Sequence, residues 1–370
     1  MLTGTVQTTT ESVIGGVPIK LPMVDVHSVS AGGGSVAWVD EGGALRVGPH
    51  SAGADPGPAA YGLGGQDATV TDASLLLGYL QDGTLLGRPG GVTLRADLAE
   101  RALRRLGERL GQDPVGAALG VVRVANAEMV RALRVISIQR GIDPRELVLL
   151  AFGGAGGMHA CALAEELGMS RVLLPRAGGV LSALGLAISD LRRDYVRPLL
   201  GNLAEASQAD LDTGYARLEE LAVRDLGEPT LERQADLRYR GQSFELTVPF
   251  SRLDQLESRF HVEHSQRYGY RMDGEPVELV SLRLVATLAV PKPALRPEPT
   301  AGASPGTERR RAVNLDGEWH EVAIVEGEWL APGAAVTGPV VVEYPESTVV
   351  VRSGWRGTVD QVDSLELERG

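Results

Sequence analysis

The spacing of hydrophobic residues indicates a strand-rich beginning followed by a helical stretch. Short apolar runs at 36–39 and 44–47 flank an Asp-Glu-Gly-Gly turn, which predicts a hairpin. From residue 95 to 140 the apolar positions recur at three- and four-residue spacing, as on the buried face of a helix. A first helix is followed by a second that starts at Pro114, and Asp113 before it is a suitable N-cap.

A continuous apolar run at 147–152 predicts a buried strand. Because such a strand needs cover on both faces, we expect it in the centre of a sheet. It leads into a glycine-rich loop at 153–157, a helix at 158–167 and a further strand at 171–174. This order is that of βα units and predicts an α/β fold.

The later part of the chain changes character twice. A helix is predicted at 211–225 and alternating strands at 235–248 and 277–290, which together indicate an α+β region. Residues 291–306 are rich in Pro, Ala and Glu without a period and are interpreted as a linker, with a small all-β unit beyond it. We therefore expect three parts along the chain: 1–195, 196–295 and 296–370.

Composition narrows the class of protein. The chain has 370 residues, 43% hydrophobic and 23% charged, which suits packed cores rather than disorder. A net charge of -12 without a basic run argues against a nucleic-acid partner, and no apolar stretch has the length of a membrane span. Cys161 is the only cysteine, so no intrachain disulfide is possible and we expect a reducing cytoplasm. With Lys20 and Lys292 as the only lysines, no P-loop sequence occurs.

The glycine-rich loop at 153–157 is the first candidate for ligand binding. Glycines allow a ligand to approach the backbone, and the following helix offers unpaired amides to an anion such as a nucleotide phosphate. Close packing of the loop is the alternative explanation. His159 lies in the first turn of that helix and is either an acid or base facing a ligand or a neutral histidine that caps the loop.

A second candidate lies near the start of the chain. Asp25 and His27 are two residues apart on a predicted strand, so they share a face and could bind one metal ion or one polarised water. The Gly- and Pro-rich loop at 48–58 is expected to bring Asp72 towards them. A divalent ion held there would be Mg²⁺, Mn²⁺ or Zn²⁺. The alternatives are that the pair serves folding and that Asp72 is the N-cap of a helix at 73–80.

Two further groups are interpreted as structural. His261 and His264 are three residues apart, but the charged residues beside them favour a solvated helical face over a metal site. Cys161 lies within an apolar helix, where packing is the expected role.

Seven ordered motifs, spread over nearly the whole chain, resemble those of the hydantoinase A and 5-oxoprolinase family. They are VDVHSVSAGGGS at 24–35, VGPHSAGADPGP at 47–58, TVTDA at 69–73, AFGGAG at 151–156, LSALG at 181–185, YRGQS at 239–243 and YGY at 268–270.

This resemblance implies ATP-dependent opening of a cyclic amide, such as a hydantoin or 5-oxoproline, and in some relatives the carboxylation of ketones. It implies half of a core like that of actin, heat-shock ATPases and sugar kinases, with Mg²⁺ or another divalent cation and a hydantoinase B-type partner subunit. Asp25, His27 and Asp72 are then the expected catalytic and metal-binding residues. The expected cofactor-binding residues are Gly32, Gly33, Gly34, Ser35, Gly153, Gly154, Ala155 and Gly156.

One departure from the family pattern affects this expectation. Family members carry two Asp-x-Gly-Gly-Thr turns that grip phosphate, and this sequence contains neither. We therefore expect a C-terminal portion of the family's architecture. Either a separate polypeptide supplies the missing half, or the reading frame is truncated, or the chain is a scaffold that has lost catalytic activity. In each case we expect the isolated chain to bind ATP weakly or not at all.

Overall fold

The computed structural model describes residues 8–9, 12–14, 17–19, 23–86, 91–292 and 309–370. The chain forms two compact units, one of residues 1–182 with 295–370 and the other of residues 183–294.

Seven helices and 21 strands make up the described chain. The helices are α1 (Val70–Leu76), α2 (Ala96–Leu110), α3 (Pro114–Ile136), α4 (Gly156–Leu167), α5 (Leu181–Ile188), α6 (Gln208–Leu226) and α7 (Leu253–Tyr268). The first ten strands are β1 (Thr8–Thr9), β2 (Ser12–Ile14), β3 (Val17–Ile19), β4 (Met23–Val24), β5 (Ser35–Val39), β6 (Leu45–Ser51), β7 (Leu85–Leu86), β8 (Val92–Thr93), β9 (Leu149–Leu150) and β10 (Arg171–Leu174). The others are β11 (Leu191–Asn202), β12 (Thr230–Tyr239), β13 (Leu246–Pro249), β14 (Val277–Leu288), β15 (Arg309–Leu315), β16 (Glu318–Glu326), β17 (Ala335–Thr337), β18 (Val340–Tyr344), β19 (Ser347–Val351), β20 (Trp355–Val359) and β21 (Leu365–Arg369).

The larger unit contains a five-stranded sheet in the order β17-β20-β21-β10-β9. Strand β10 pairs in parallel with β9 and antiparallel with β21, with Leu174 opposite Leu365. The C-terminal strands thus complete the sheet that β9 and β10 begin, and the contacts group the chain into two units rather than three. The boundaries expected from the sequence stay a prediction, whereas the mixed α/β class with a β-rich C-terminal segment is confirmed.

The expectation that the run at 147–152 is a central strand is wrong. Only Leu149 and Leu150 form β9, which lies at one edge of the five-stranded sheet. Alternate residues Leu147, Leu149 and Ala151 pack on the core, whereas Val148, Leu150 and Phe152 are between 42% and 47% exposed. The run is therefore apolar on two faces, and the described chain covers one of them.

The predicted hairpin and helices of the larger unit are confirmed. β5 and β6 pair antiparallel, and the Asp40 carboxylate closes their turn by accepting hydrogen bonds from the Gly42 and Ala44 amides at 3.0 and 2.8 Å. Helix α3 begins at Pro114, and the Asp113 carboxylate caps it by accepting from the Gly116 amide at 2.6 Å. Buried alanines and valines of α3 join α1 and α2 in one hydrophobic core.

The smaller unit is a four-stranded antiparallel sheet in the order β11-β14-β12-β13, against which α6 and α7 pack. Its core has its own aromatic residues, among them Tyr215, Tyr239 and Phe260. The single strand expected at 235–248 is instead the hairpin β12–β13, because residues 240–245 turn the chain back. The predicted linker at 291–306 lies outside the described residues from 293 onward.

Candidate functional site

The two glycine-rich segments predicted to bind a cofactor come together in the larger unit. A Cβ placed on Gly33 would lie 2.8 Å from the Thr71 hydroxyl and 3.9 Å from the Ala155 Cβ. The Gly33 carbonyl accepts hydrogen bonds from the Thr71 amide at 2.9 Å and the Thr71 hydroxyl at 3.0 Å. We call this meeting of the 32–35 turn, Thr71 and the 153–156 loop the glycine junction.

Neighbouring backbone holds the 32–35 turn in place. The Ser35 amide donates to the Gly32 carbonyl at 2.9 Å, and the Ala52 amide donates to the Gly34 carbonyl at 2.8 Å. A Cβ on Gly34 would be 3.0 Å from the Ser51 hydroxyl. The turn is thus built for close backbone approach, whereas Gly32 on its outer side is exposed and has open space around it.

The 153–156 loop leads to the N-terminus of α4 and leaves that end uncapped by side chains. Gly153 has a φ of 85°, which favours glycine, and its amide donates to the Gly178 carbonyl at 2.8 Å. Ala155 at the N-cap position makes no side-chain capping bond, and the first turn has no acidic residue. Amides at such a helix start suit an anion.

Not every glycine of the 153–157 segment is there to let a ligand approach the backbone. A Cβ on Gly157 would be 2.6 Å from the Thr348 carbonyl oxygen, so this glycine is required for packing of α4 against β19. Gly154, by contrast, is exposed.

His27 lines a cavity of about 400 Å³ directly before the glycine turn. The cavity lies between residues 27–30, the β5–β6 hairpin and α3, and Trp38, Arg46 and Arg131 contribute to its wall. The Trp38 indole donates to the Gly48 carbonyl at 2.8 Å, which fixes that wall. Both guanidinium groups already have carboxylate partners, because Arg46 pairs with Asp40 at 2.8 Å and Arg131 pairs at 3.1 Å with Glu128, which also lines the cavity. An anionic group in the cavity would have to take the place of these carboxylates.

Asp25 does not line this cavity. Its carboxylate forms an ion pair with the Arg140 guanidinium, and hydrogen bonding from Arg140 lowers the pKa of the Asp25 carboxyl below its ordinary value. Asp25 and His27 therefore have different surroundings, although they are two residues apart.

Asp72 is a buried capping residue rather than a cleft residue. Its carboxylate accepts hydrogen bonds from the Ala60 amide at 2.7 Å, the Thr69 amide at 2.8 Å and the Thr69 hydroxyl at 2.7 Å. The Thr69 hydroxyl in turn caps α1, which completes a capping box. Burial raises the pKa of the Asp72 carboxyl against the effect of these donors. Asp72 therefore caps the helix, as the alternative to a metal-binding role stated. It does so from the third helical position, and Thr69 is the N-cap.

The expected metal site is not formed by these three residues. In the described part of the chain no three His, Cys, Asp or Glu side chains are grouped so that they could hold a metal ion. Asp25 is engaged by Arg140, and the Asp72 oxygens are occupied by three donors. Asp25, His27 and Asp72 therefore do not fit a shared divalent cation.

His159 is neutral and buried, as one of the two alternatives stated, but it contacts Asn126 of α3 and does not cap the loop. Its Nδ1 lies 2.7 Å from the Asn126 Oδ1, so it carries the proton and donates, while Nε2 has no partner among the described residues. Burial lowers the pKa of His159 to about 4. Burial also raises the pKa of the Cys161 thiol to about 12, which fits a packing role.

Comparison with known sequences shows which protein family the chain matches. The hydantoinase/oxoprolinase family matches residues 1–195, and the hydantoinase/oxoprolinase C-terminal domain matches residues 208–370. The chain belongs to the hydantoinase/oxoprolinase family. The resemblance stated from the motifs is thus confirmed.

Named relatives of this hydantoinase/oxoprolinase chain include enzymes of amide chemistry. The chain is 37% identical to caprolactamase subunit alpha of Pseudomonas jessenii, over 95% of this chain and 53% of that protein. It is 30% identical to 5-oxoprolinase 1 of Arabidopsis thaliana, over 99% of this chain and 31% of that protein.

Two solved structures share the fold. The ATP-dependent caprolactamase from Pseudomonas jessenii matches with a TM-score of 0.75 and 34% identity, over 98% of this chain and 55% of the other. A nucleotide-free structure of acetone carboxylase, an enzyme of ATP-dependent acetone carboxylation, matches with a TM-score of 0.81 and 26% identity, over 99% and 55%. The chain thus spans about half the length of these proteins.

Sequence reasoning missed several residues of this region. Thr71 is part of the TVTDA motif but was not predicted to be a site residue, yet its hydroxyl links the glycine turn to α1. Trp38, Arg46 and Arg131 line the His27 cavity without having been singled out. The available signal was the pairing of Trp38 with Arg46 across the predicted hairpin.

Proposed function

We propose that this chain is the nucleotide-facing portion of an ATP-dependent hydrolase that opens cyclic amides. The observation that carries the proposal is the glycine junction, in which two motifs 120 residues apart meet beside an uncapped helix start. The similarity to caprolactamase over nearly the whole chain supports the choice of reaction.

In this proposal the nucleotide lies along the glycine junction. As the family resemblance implies, Gly153, Gly154, Ala155 and Gly156 approach its adenosine side, where the uncapped start of α4 would face the α-phosphate next to the ribose. Residues 32–35 line the side where the terminal phosphate is transferred. The neighbouring cavity with His27, Arg46 and Arg131 receives the anionic group, which exchanges for the Asp40 and Glu128 carboxylates that now pair with the two guanidinium groups. ATP chemistry of this kind fits the cytoplasmic location expected from the sequence.

The proposed reaction overcomes amide resonance in three steps. The amide oxygen attacks the γ-phosphorus of ATP, which releases ADP and leaves a phosphorylated imidate. Water then adds to the activated carbon and the ring C–N bond breaks, which leaves an acyl phosphate and a free amine. A second water hydrolyses the acyl phosphate to inorganic phosphate and the carboxylate of the open amino acid. The residues of this chain contribute positioning and charge stabilisation of the transferred phosphoryl group.

The proposal includes a partner that covers the open edge of β9. The apolar face of Val148, Leu150 and Phe152 is exposed, and no other strand of the described residues pairs with the outer edge of β9. This combination is rare on an isolated monomer. We propose that the missing half of the family's architecture, or a hydantoinase B-type subunit, supplies this cover.

The test measures ADP release by the full chain, alone and co-expressed with the products of neighbouring genes. Caprolactam, 5-oxoproline and hydantoin are each added. We expect lactam-dependent ADP release from the co-expressed complex only, and its loss in Phe152→Ser. Val262→Ser, at an apolar position on α7 that is 54% exposed compared with 47% for Phe152, is the control. Lactam-independent ATP hydrolysis, or none with any lactam, would contradict the proposal.

Ketone carboxylation is the second candidate. The higher TM-score with acetone carboxylase favours it, although the sequence identity is lower. Acetone with bicarbonate, with release of inorganic phosphate as the readout, separates the two functions, because only a carboxylase would then consume ATP.

A further inference from the structure

Two sequence motifs that the proposed nucleotide site does not use converge in the smaller unit. YRGQS at 239–243 begins at the last residue of β12, and YGY at 268–270 begins at the last residue of α7. Between them lies a pocket of about 180 Å³. Because pockets for drug-sized ligands measure roughly 300–1,000 Å³, this one suits a single compact group.

Aromatic rings form most of the wall of this pocket. The lining residues that carry a ring are Phe244, Phe260, His264, Tyr268 and Tyr270. The ring centroids of Tyr268 and Tyr270 lie 4.7 and 5.0 Å from that of His264. The Arg267 guanidinium carbon is 6.0 Å from the Tyr268 centroid, but Arg267 does not line the pocket. Since the face of an aromatic ring is electronegative, such a wall attracts a cation.

A buried, neutral histidine connects the two motifs. His264 is 2% exposed, so the expectation of a solvated helical face is wrong for this residue. Its Nδ1 lies 2.8 Å from the Tyr270 carbonyl, which can only accept, so Nδ1 carries a proton and donates. Its Nε2 accepts from the Gln242 amide nitrogen at 3.3 Å, and the Gln242 oxygen accepts from the Tyr239 amide. The imidazole is therefore uncharged and does not repel a cation.

Glu245 gives the pocket a negative charge. Its carboxylate makes no hydrogen bond or ion pair with any described residue. No lysine or arginine of the described chain lines the pocket. Two nearby arginines in the sequence pair elsewhere, Arg240 with Glu278 at 3.8 Å and Arg271 with Asp273 at 2.9 Å. The Glu245 charge thus has no basic partner in the pocket, and an anionic ligand would be repelled by it.

We propose that this pocket binds a small organic cation that carries a methylated ammonium group. The methyl groups pack on the faces of Tyr268 and Tyr270, and the Glu245 carboxylate balances the charge. A fully methylated nitrogen has no N–H that needs an acceptor, so a wall made mostly of rings suits it better than a primary ammonium or a guanidinium group. The inference is independent of the proposed function, because it involves neither ATP nor a lactam.

The experiment is calorimetric titration of the full chain at constant ionic strength. Choline is the cationic probe. Its control is the uncharged alcohol of the same shape, in which a tert-butyl group replaces the trimethylammonium group. We expect choline to bind at least about tenfold more tightly than this alcohol. Equal binding of the two compounds would indicate an apolar pocket without preference for charge and would overturn the proposal.

A charge variant tests the role of Glu245. Glu245→Gln keeps the shape of the side chain and removes its charge, so it should weaken choline binding about tenfold and leave binding of the neutral alcohol unchanged. Glu263→Gln, at an exposed position of α7 that does not line the pocket, is the matched control and should bind choline like the parent. An equal loss in both variants would indicate attraction by general surface charge and contradict a specific site.

A ring variant tests the aromatic wall. Tyr270→Leu keeps an apolar side chain without a ring face and should weaken choline binding about fivefold, whereas Tyr270→Phe keeps the ring and should bind like the parent. Tyr270 is 51% exposed and holds His264 through its backbone carbonyl, so thermal melts of both variants should match the parent. Parent-like choline binding by Tyr270→Leu, or an equal loss in Tyr270→Phe, would refute the contribution of the ring.

The same ammonium group occurs on the lipid phosphatidylcholine. A lipid would bring its phosphate next to Glu245, where no lysine or arginine of the described chain lines the pocket, so we expect a free small cation instead. Cosedimentation of the full chain with phosphatidylcholine vesicles separates the two sources. Vesicle binding that is lost in Glu245→Gln, without binding of free choline, would assign the site to a lipid headgroup and overturn the proposal.

Discussion

At the scale of single residues, the neutral state of His159 has a consequence for stability. Burial lowers its folded pKa to about 4, whereas the unfolded side chain titrates near 6.5. The unfolded state therefore binds a proton first as the pH falls. Neutral His159 therefore imposes no cost on the free energy of unfolding above about pH 6.5. As the pH falls from about 6.5 to about 4, this free energy decreases by up to about 3 kcal/mol.

The measurement is urea unfolding at several pH values between 7.5 and 4. His159→Asn keeps a side-chain amide that can donate to Asn126 but does not titrate, so its stability should fall less over this range than that of the parent. His320→Gln, at a more exposed histidine, should follow the parent. Parallel curves for the parent and His159→Asn would refute the buried neutral state.

Asp72 provides a second prediction at this scale. Asp72→Ala leaves the Ala60 and Thr69 amides without their acceptor and should lower the free energy of unfolding by about 3 kcal/mol. Asp67→Ala, at an exposed position nearby, should change it by less than about 0.5 kcal/mol. If Asp72→Ala retained the parent's melting temperature and lost only ATP turnover, the residue would be catalytic after all.

The two aspartates also show how far sequence reasoning reaches. The Thr69-x-x-Asp72 spacing is typical of a capping box, so the role of Asp72 can be predicted from the neighbouring sequence. Asp25 and His27 share a strand-like spacing, but Arg140 lies 115 residues from Asp25 and engages it. No local pattern indicates such a long-range partner, which is why the expected metal site did not form.

At the scale of elements, adjacent glycines at the start of α4 have opposite roles. Gly157→Ala places a Cβ 2.6 Å from the Thr348 carbonyl oxygen and should cost about 1–3 kcal/mol. Gly156→Ala meets its nearest atom at 3.8 Å, in the Ala151 backbone, and should be neutral or stabilising, since alanine favours a helix. Thermal melts of the two variants provide the comparison, and equal melting temperatures would contradict the packing of α4 on β19.

Elements with a local signal were predicted well. Helix α3 is predicted from the spacing of its apolar residues and the β5–β6 hairpin from its turn residues. Both signals lie close together in sequence, and both elements are confirmed. The predicted central position of β9 is wrong because an apolar run indicates only that both faces of the strand need to be buried. It does not indicate whether the residues that bury them belong to the same chain.

At the scale of the whole molecule, the assignment of the C-terminal strands could not be predicted. The linker composition at 291–306 suggested a separate domain, yet β21 pairs with β10 across almost 200 residues. Pairing at that separation depends on the register of two short apolar strands, which composition does not encode.

The smaller unit, in contrast, should fold by itself. Residues 189–292 contain a complete antiparallel sheet with two helices and their own hydrophobic core. The ends of this segment lie together, because Leu191 pairs with Leu288 and the Asp190 carboxylate accepts from the Val290 amide at 3.2 Å. No strand pairing is lost when it is excised from the rest of the described chain.

We therefore expect the 189–292 fragment to unfold cooperatively in urea with a free energy of roughly 5 kcal/mol or more. The comparison fragment 23–188 lacks β21, which leaves β10 with an open edge and the apolar core beneath it exposed. It should be aggregated or lack a cooperative transition. A well-dispersed amide NMR spectrum from 23–188 would show that this part of the larger unit folds without the C-terminal strands. A poorly dispersed spectrum from 189–292 would show that the smaller unit does not fold by itself.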